Sequence, residues 1–176
     1  MAQPLFDHAA VLDGLEALAF VLGQRSVAHQ TLVVIGGSYL ALLGLREATR
    51  DVDTITRLNE ETRRAIDDVA RSKGLEPRWL NDAAIAFTPN GLTSAHCSTV
   101  FAHEALTVVL PSPDWVFLMK LYAARAVDYQ DLVALWPLCE FSSPADAVER
   151  FWLAYPHASD DDFLIDYVAQ IAAQTS

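Results

Sequence analysis

The sequence predicts an α+β fold with α/β character: a mixed sheet with flanking helices, followed by a helical C-terminal portion. Three observations carry this. The stretch TLVVIGGSYLALLGLREATRDVDTIT, Thr31 to Thr56, reads as strand, glycine turn, short helix and second strand. Asn59 to Gly74 carries helix punctuation at both ends. From Leu75 to Leu110 the pattern shortens to strand-like runs, after which Ser-Pro helix starts appear at Ser112-Pro113 and Ser143-Pro144. Strands and helices that each hide one apolar face must be layered against one another, and this order of elements suits a sheet covered by helices.

Taken in order, Val11, Leu15, Leu18 and Leu22 recur at helical spacing, so Asp7 to Leu22 should be an amphipathic helix packed on the sheet, with Gly23 as its C′ residue. The β-branched run Thr31 to Ile35 should be a strand, and Ser38 the N-cap of a helix Tyr39 to Leu45. DVDTI, from Asp51, is the next strand. Asn59 is a good N-cap; Glu60 and Glu61 fall in the first turn, Arg71 and Lys73 in the last, and Gly74 stops the helix. The inward face of that helix is Ile66, Val69 and Ala70. Ile85 and Phe87 alternate like a strand, Pro89-Asn90-Gly91 marks a turn, and Ser98 to Ala102 and Leu106 to Leu110 are strand candidates.

Ser112-Pro113-Asp114 opens the helix WVFLMKLYAARAV, with Trp115, Leu118, Met119 and Tyr122 at core spacing. Lys120 in that apolar segment reads as a residue that snorkels to solvent, and Asp128 and Asp131 as the N-cap and N3 of the next helix. Ser143-Pro144 starts a helix ending near Ala154. Ser159 to Asp162 starts the last, ending near Ala173, and Trp152, Phe163 and Tyr167 read as core or interface residues. Domain organisation follows: residues 1–111 form the α/β core and 112–176 a helical portion packed on it as a single compact unit.

Charge and composition narrow the function. A formal charge of −11 and a pI near 4.6 argue against nonspecific DNA binding, which rests on neutralising phosphates with Lys and Arg. Cys97 and Cys139 stand alone, as suits a reducing cytosol. Asp13 and Glu16 break the apolar stretch near the start, so neither a signal peptide nor a membrane span is expected, and the expected location is cytoplasmic. GGSYL is not a GxSxG nucleophile elbow, and no GxGxxG or GxxxxGK[ST] occurs. His96, Cys97 and His103 lack the spacing of zinc ligands.

The chemistry-bearing pattern lies in Thr31 to Thr56. Gly36-Gly37 offers bare backbone N–H groups at a helix start, a setting that suits phosphate, and Ser38 would add a hydroxyl donor. Asp51 and Asp53 are two apart on one strand, so their carboxylates should share a face about 7 Å apart and clamp Mg²⁺ against a nucleoside triphosphate. The bland alternative is a capping serine and two solvated aspartates.

These residues, in the form GGSYLALLGLREATRDVD, resemble the signature of the DNA polymerase β-type nucleotidyltransferase superfamily. They are closest to its small bacterial AbiEii-like toxin members and related uncharacterised nucleotidyltransferase-like proteins. KLYAARAVDYQDL is similar to the family's second block, and the two blocks together run from Leu32 to Leu135. The resemblance implies that Asp51 and Asp53 bind Mg²⁺ and act catalytically with Lys120 and Asp131. Gly36, Gly37, Ser38, Arg50, Arg125 and Asp128 would surround the nucleotide. It further implies an NTP substrate, an acceptor that is RNA in a toxin setting or else a small molecule of the aminoglycoside kind, and an antitoxin-like protein partner. One departure stands out: the third strand carboxylate of the family is missing, since no acid occurs between Asp82 and Glu104, and Glu104 reads as a turn residue. This motivates another reading, a catalytically weakened protein that binds a nucleotide or a partner.

Overall fold

A computed structural model describes residues 5–175 and divides the chain into two compact units. The first runs to Ala86 and takes up Cys97–Leu110 again; the second is Phe87–His96 with Pro111 onward.

Unit one holds α1 (His8–Gln24), β1 (Gln30–Ile35), α2 (Gly36–Leu42), β2 (Val52–Thr54), α3 (Glu60–Lys73), β3 (Leu80–Asn81), β4 (Cys97–His103) and β5, which starts at Leu106. The five strands form one mixed sheet in the order β3-β2-β1-β5-β4. β1 is antiparallel to β2 but parallel to β5, and β2 is parallel to β3. Val34 and Ile35 therefore lie beside Thr54 and Asp53, the neighbouring-strand arrangement expected from Thr31 to Thr56.

The core of this unit follows from its apolar spacing. Leu15, Leu18 and Leu22 of α1, Leu32 and Val34 of β1, and Val69 of α3 are buried. Trp79 is fully buried, donates its indole N–H to the Ile66 carbonyl at 3.2 Å, and stacks on Phe6. α1 lies against α3 and α2. α3 has the expected limits: Asn59 accepts the Thr62 N–H at 2.8 Å, and Gly74 ends the helix at φ +67°.

Three local expectations are corrected here. α1 passes through Gly23 to Gln24, and the left-handed residue beyond it is Ser26. Ile85 and Phe87 lie on a 3₁₀ turn, Ala83–Phe87, not on a strand; two alternating apolar residues without a partner strand do not impose the extended form. The two-residue strand β3 had no visible pattern.

Unit two contains α4 (Pro113–Ala123), α5 (Tyr129–Leu135), α6 (Pro144–Ala154) and α7 (Leu164–Ala173). α4 stops four residues short of the expected Val127 because Ala124 turns left-handed at φ +50°. Its buried face is Val116 to Leu121 without a break, whereas Trp115 is half-buried and Tyr122 exposed. Phe163, expected in a core or interface, is 75% exposed. α7 begins at Leu164, after Asp161 accepts the Phe163 N–H at 2.9 Å. No described helix is long and apolar enough to cross a membrane.

Candidate functional site

In unit one, β1 runs directly into α2. The N-cap is Ile35, so Ser38 is the third helical residue, fully buried, with its hydroxyl donating to the Ile35 carbonyl at 2.9 Å. The expectation of Ser38 as an N-cap offering its proton to a ligand is thereby corrected. A strand that turns into helix without a linker moves the cap three residues upstream, and the serine then closes back onto the strand's last carbonyl.

The glycines set the geometry. Gly36 has φ +70°, and a Cβ built on it would lie 2.7 Å from Asp53 Oδ2. A side chain here would be strained by the backbone and would displace the carboxylate as well. A Cβ on Gly37 would fall 2.4 Å from Thr49 Oγ1 and 2.8 Å from Arg46 Nη1. Thus the bare turn is where Asp53, Thr49 and Arg46 converge. Thr49 is fixed by a pair of backbone bonds with Phe6, at 2.7 and 2.8 Å.

β2 delivers Asp53 through its register, opposite Ile35 on one side and Asn81 on the other. Asp51 immediately precedes β2 and accepts the Asn81 side-chain amide at 3.3 Å. Both aspartates are half-buried, while Arg50, which immediately precedes them in sequence, is exposed. Thr49 and Asn81 were not legible as site residues: one lies in an irregular segment, and the other matters only through the β2–β3 register.

This donor set fits Mg²⁺. The cation is commonly held by one or two carboxylates and completes its shell with substrate phosphates and water. Asp53 set against side-chain-free backbone, with Asp51 two residues away, offers hard oxygens of that kind. Among the described residues no group of three or more His, Cys, Asp or Glu is arranged for a metal. Glu104 lies in the β4–β5 turn, and His103 Nδ1 accepts the Ala105 N–H at 3.1 Å.

In unit two the second motif closes on itself. Lys120 Nζ donates to Asp128 Oδ1 and to Asp131 Oδ2, both at 2.8 Å, and Arg125 Nε donates to Asp128 Oδ2 at 2.7 Å. The side chains of Lys120, Asp128 and Asp131 are 6%, 3% and 8% exposed, that of Arg125 64%. Lys120 therefore does not snorkel, and the Asp128 side chain caps nothing. The left-handed Ala124 folds the chain back so that Asp128, on the 3₁₀ turn Ala126–Asp128, and Asp131, on α5, both reach the ammonium of α4. Burial raises the pKa of Asp128, but hydrogen bonds and charge from Arg125 and Lys120 outweigh it and leave the carboxyl below the ordinary range. Locally this cluster ties α5 to α4.

The candidate residues are therefore grouped as Gly36, Gly37, Asp51 and Asp53 in unit one and Lys120, Arg125, Asp128 and Asp131 in unit two. Compared with protein-family models, curated proteins and solved structures, the chain finds no match in any of the three.

Proposed function

We propose that the protein is a Mg²⁺-dependent nucleotidyltransferase that moves a nucleoside monophosphate from an NTP to an acceptor, RNA in a toxin-type setting. The observation that carries this reading is the contact between Gly36 and the Asp53 carboxylate at the β1–α2 turn. Asp53 already brings negative charge to the turn. A triphosphate would be repelled there unless a divalent cation shared its oxygens with the carboxylate, so the requirement for metal follows from electrostatics.

Asp51 and Asp53 would hold Mg²⁺, which when bound neutralises phosphate charge and favours an ionised acceptor hydroxyl. The backbone N–H groups of Gly36 and Gly37 would be the donors offered to the phosphates, and Arg46 beside Gly37 would add positive charge from the same unit. One aspartate accepts the proton of the acceptor hydroxyl as its oxygen bonds to the α-phosphorus and pyrophosphate leaves. Arg50, exposed next to both acids, is available to the acceptor or the nucleotide. Lys120 and Asp131 contribute by fixing the helical unit, since the Lys120 ammonium is held by two buried carboxylates.

A second reading, a nucleotide-binding protein without transfer, is favoured by Ser38, whose proton is given to Ile35 and not to a ligand. The test is incubation of the purified protein with each α-labelled NTP, Mg²⁺ and either total RNA or candidate small molecules. The proposal expects label on RNA, lost in Asp53→Asn. Label on a small molecule only would reassign the acceptor, and NTP binding without label transfer would favour the second reading.

A further inference from the structure

β4 is a sheet edge of an unusual kind for this chain. It is the terminal strand in the order β3-β2-β1-β5-β4, and from Ser98 to His103 every residue but Phe101 is exposed. Val100 is 41% exposed. The strand reads Cys97-Ser98-Thr99-Val100-Phe101-Ala102-His103, with no Asp, Glu, Lys, Arg or Pro. Unpaired edges invite further strands, and proteins ordinarily protect them with charge, proline, brevity or a covering element. This edge is seven residues long and has none of the first three, while its exposure shows little covering either face.

We propose that β4 pairs antiparallel with β4 of a second copy, across a two-fold axis at Val100, joining the two sheets into one. Charge favours this occupant. The chain carries −11 overall, so self-association is opposed wherever acids meet, yet this strand brings no like-charged pair into register with itself. The two-fold register also sets complementary side chains opposite each other. Val100 meets its own equivalent, and Thr99 meets Phe101 twice, a β-branched residue against an aromatic one, the kind of cross-strand pair that stabilises sheets. The β-branched Thr99 and Val100 and the aromatic Phe101 favour the extended form before any partner arrives. One edge strand buries an area at the small end for specific interfaces, roughly 1,000 Å² or below, so the dimer should dissociate on dilution through the micromolar range.

The test combines sedimentation equilibrium from about 1 to 300 µM with hydrogen–deuterium exchange at both ends of that range. The expected result is a rise in mass from 19.3 kDa toward twice that value, with those amides of residues 98–102 that point away from β5 becoming protected at high concentration only. Val100→Lys puts two ammonium groups opposite each other and should shift dissociation at least tenfold, whereas Val100→Thr should dimerise like the wild type. Thr99→Lys serves as the second charged variant should Val100→Lys lose its native circular dichroism. A monomer at 300 µM overturns the proposal. So does a dimer in which the outward-pointing amides of residues 98–102 gain no protection or which both charged variants retain. Protection of β4 only on adding a different protein would assign the edge to that partner and likewise overturn self-pairing.

Discussion

Gly36 and Gly37 are glycine for different reasons, and substitution separates them. At Gly36 the backbone is left-handed and Asp53 Oδ2 occupies the space of a Cβ, so Gly36→Ala should lose about 1–2 kcal/mol from the backbone alone. The displaced carboxylate should also abolish metal-dependent NTP binding. At Gly37 the obstacle is Thr49 Oγ1, and Thr49→Ser combined with Gly37→Ala should recover nothing because the oxygen remains. Urea unfolding of the three variants checks both statements. In the second cluster, Lys120→Ala removes the ammonium that two buried carboxylates share, leaving Asp128 its Arg125 partner, and should cost about 3–5 kcal/mol. The acid limb carries the opposite information. Asp128 has a lowered pKa when folded, so on acidification the unfolded chain takes up the proton first. Its contribution is complete above about pH 4 and is lost as pH falls through the folded value. Asp128→Asn should be less stable than wild type at pH 6, and the difference should shrink as the pH falls below the ordinary carboxylate range, as denaturation midpoints across that range would show. In the sequence Lys120, Arg125, Asp128 and Asp131 stand out together only through the resemblance, as nucleotide-site residues, while Lys120 by itself reads as a snorkelling residue and Asp128 as a cap; their pairing with one another was not legible, because the left-handed Ala124 that brings them together has no glycine to mark it.

At the scale of elements, sequence reading succeeds where the signals are local. α3 and α6 have their expected limits because cap, first-turn acid or proline, and stop residue act within a few residues of one another. Asn59→Ala should therefore lose about 1 kcal/mol, and Asn59→Asp almost nothing, in thermal unfolding. Reading fails where an element is defined by its partners. β3 is two residues long and exists through its pairing with β2. The 3₁₀ turn Ala83–Phe87 mimicked a strand through a single alternating pair, Ile85 and Phe87. α2 was expected from Tyr39, yet it starts at Gly36 because β1 hands over to it without a linker.

For the molecule as a whole, a mixed sheet with flanking helices was predictable, since strand, glycine turn, helix and strand in Thr31 to Thr56 leave few unknotted arrangements, although β3, one of its five strands, was not. The chain passes from one compact unit to the other at Leu110, close to the boundary expected after residue 111, but Phe87–His96 also belongs with the helical unit. That detour depends on tertiary bonds such as the Asn90 N–H to the Ala154 carbonyl at 2.8 Å, which no local pattern announces. The central claim concerns Asp53 at the bare turn, and calorimetric titration of NTP into the protein tests it most directly, with Mg²⁺ or with EDTA, for wild type and Asp53→Asn. The account predicts binding by the wild type in Mg²⁺ alone and a loss on the order of 1.5–3 kcal/mol in the mutant, the worth of a charge-assisted contact. Equal affinity of the two proteins, or undiminished binding in EDTA, would contradict it.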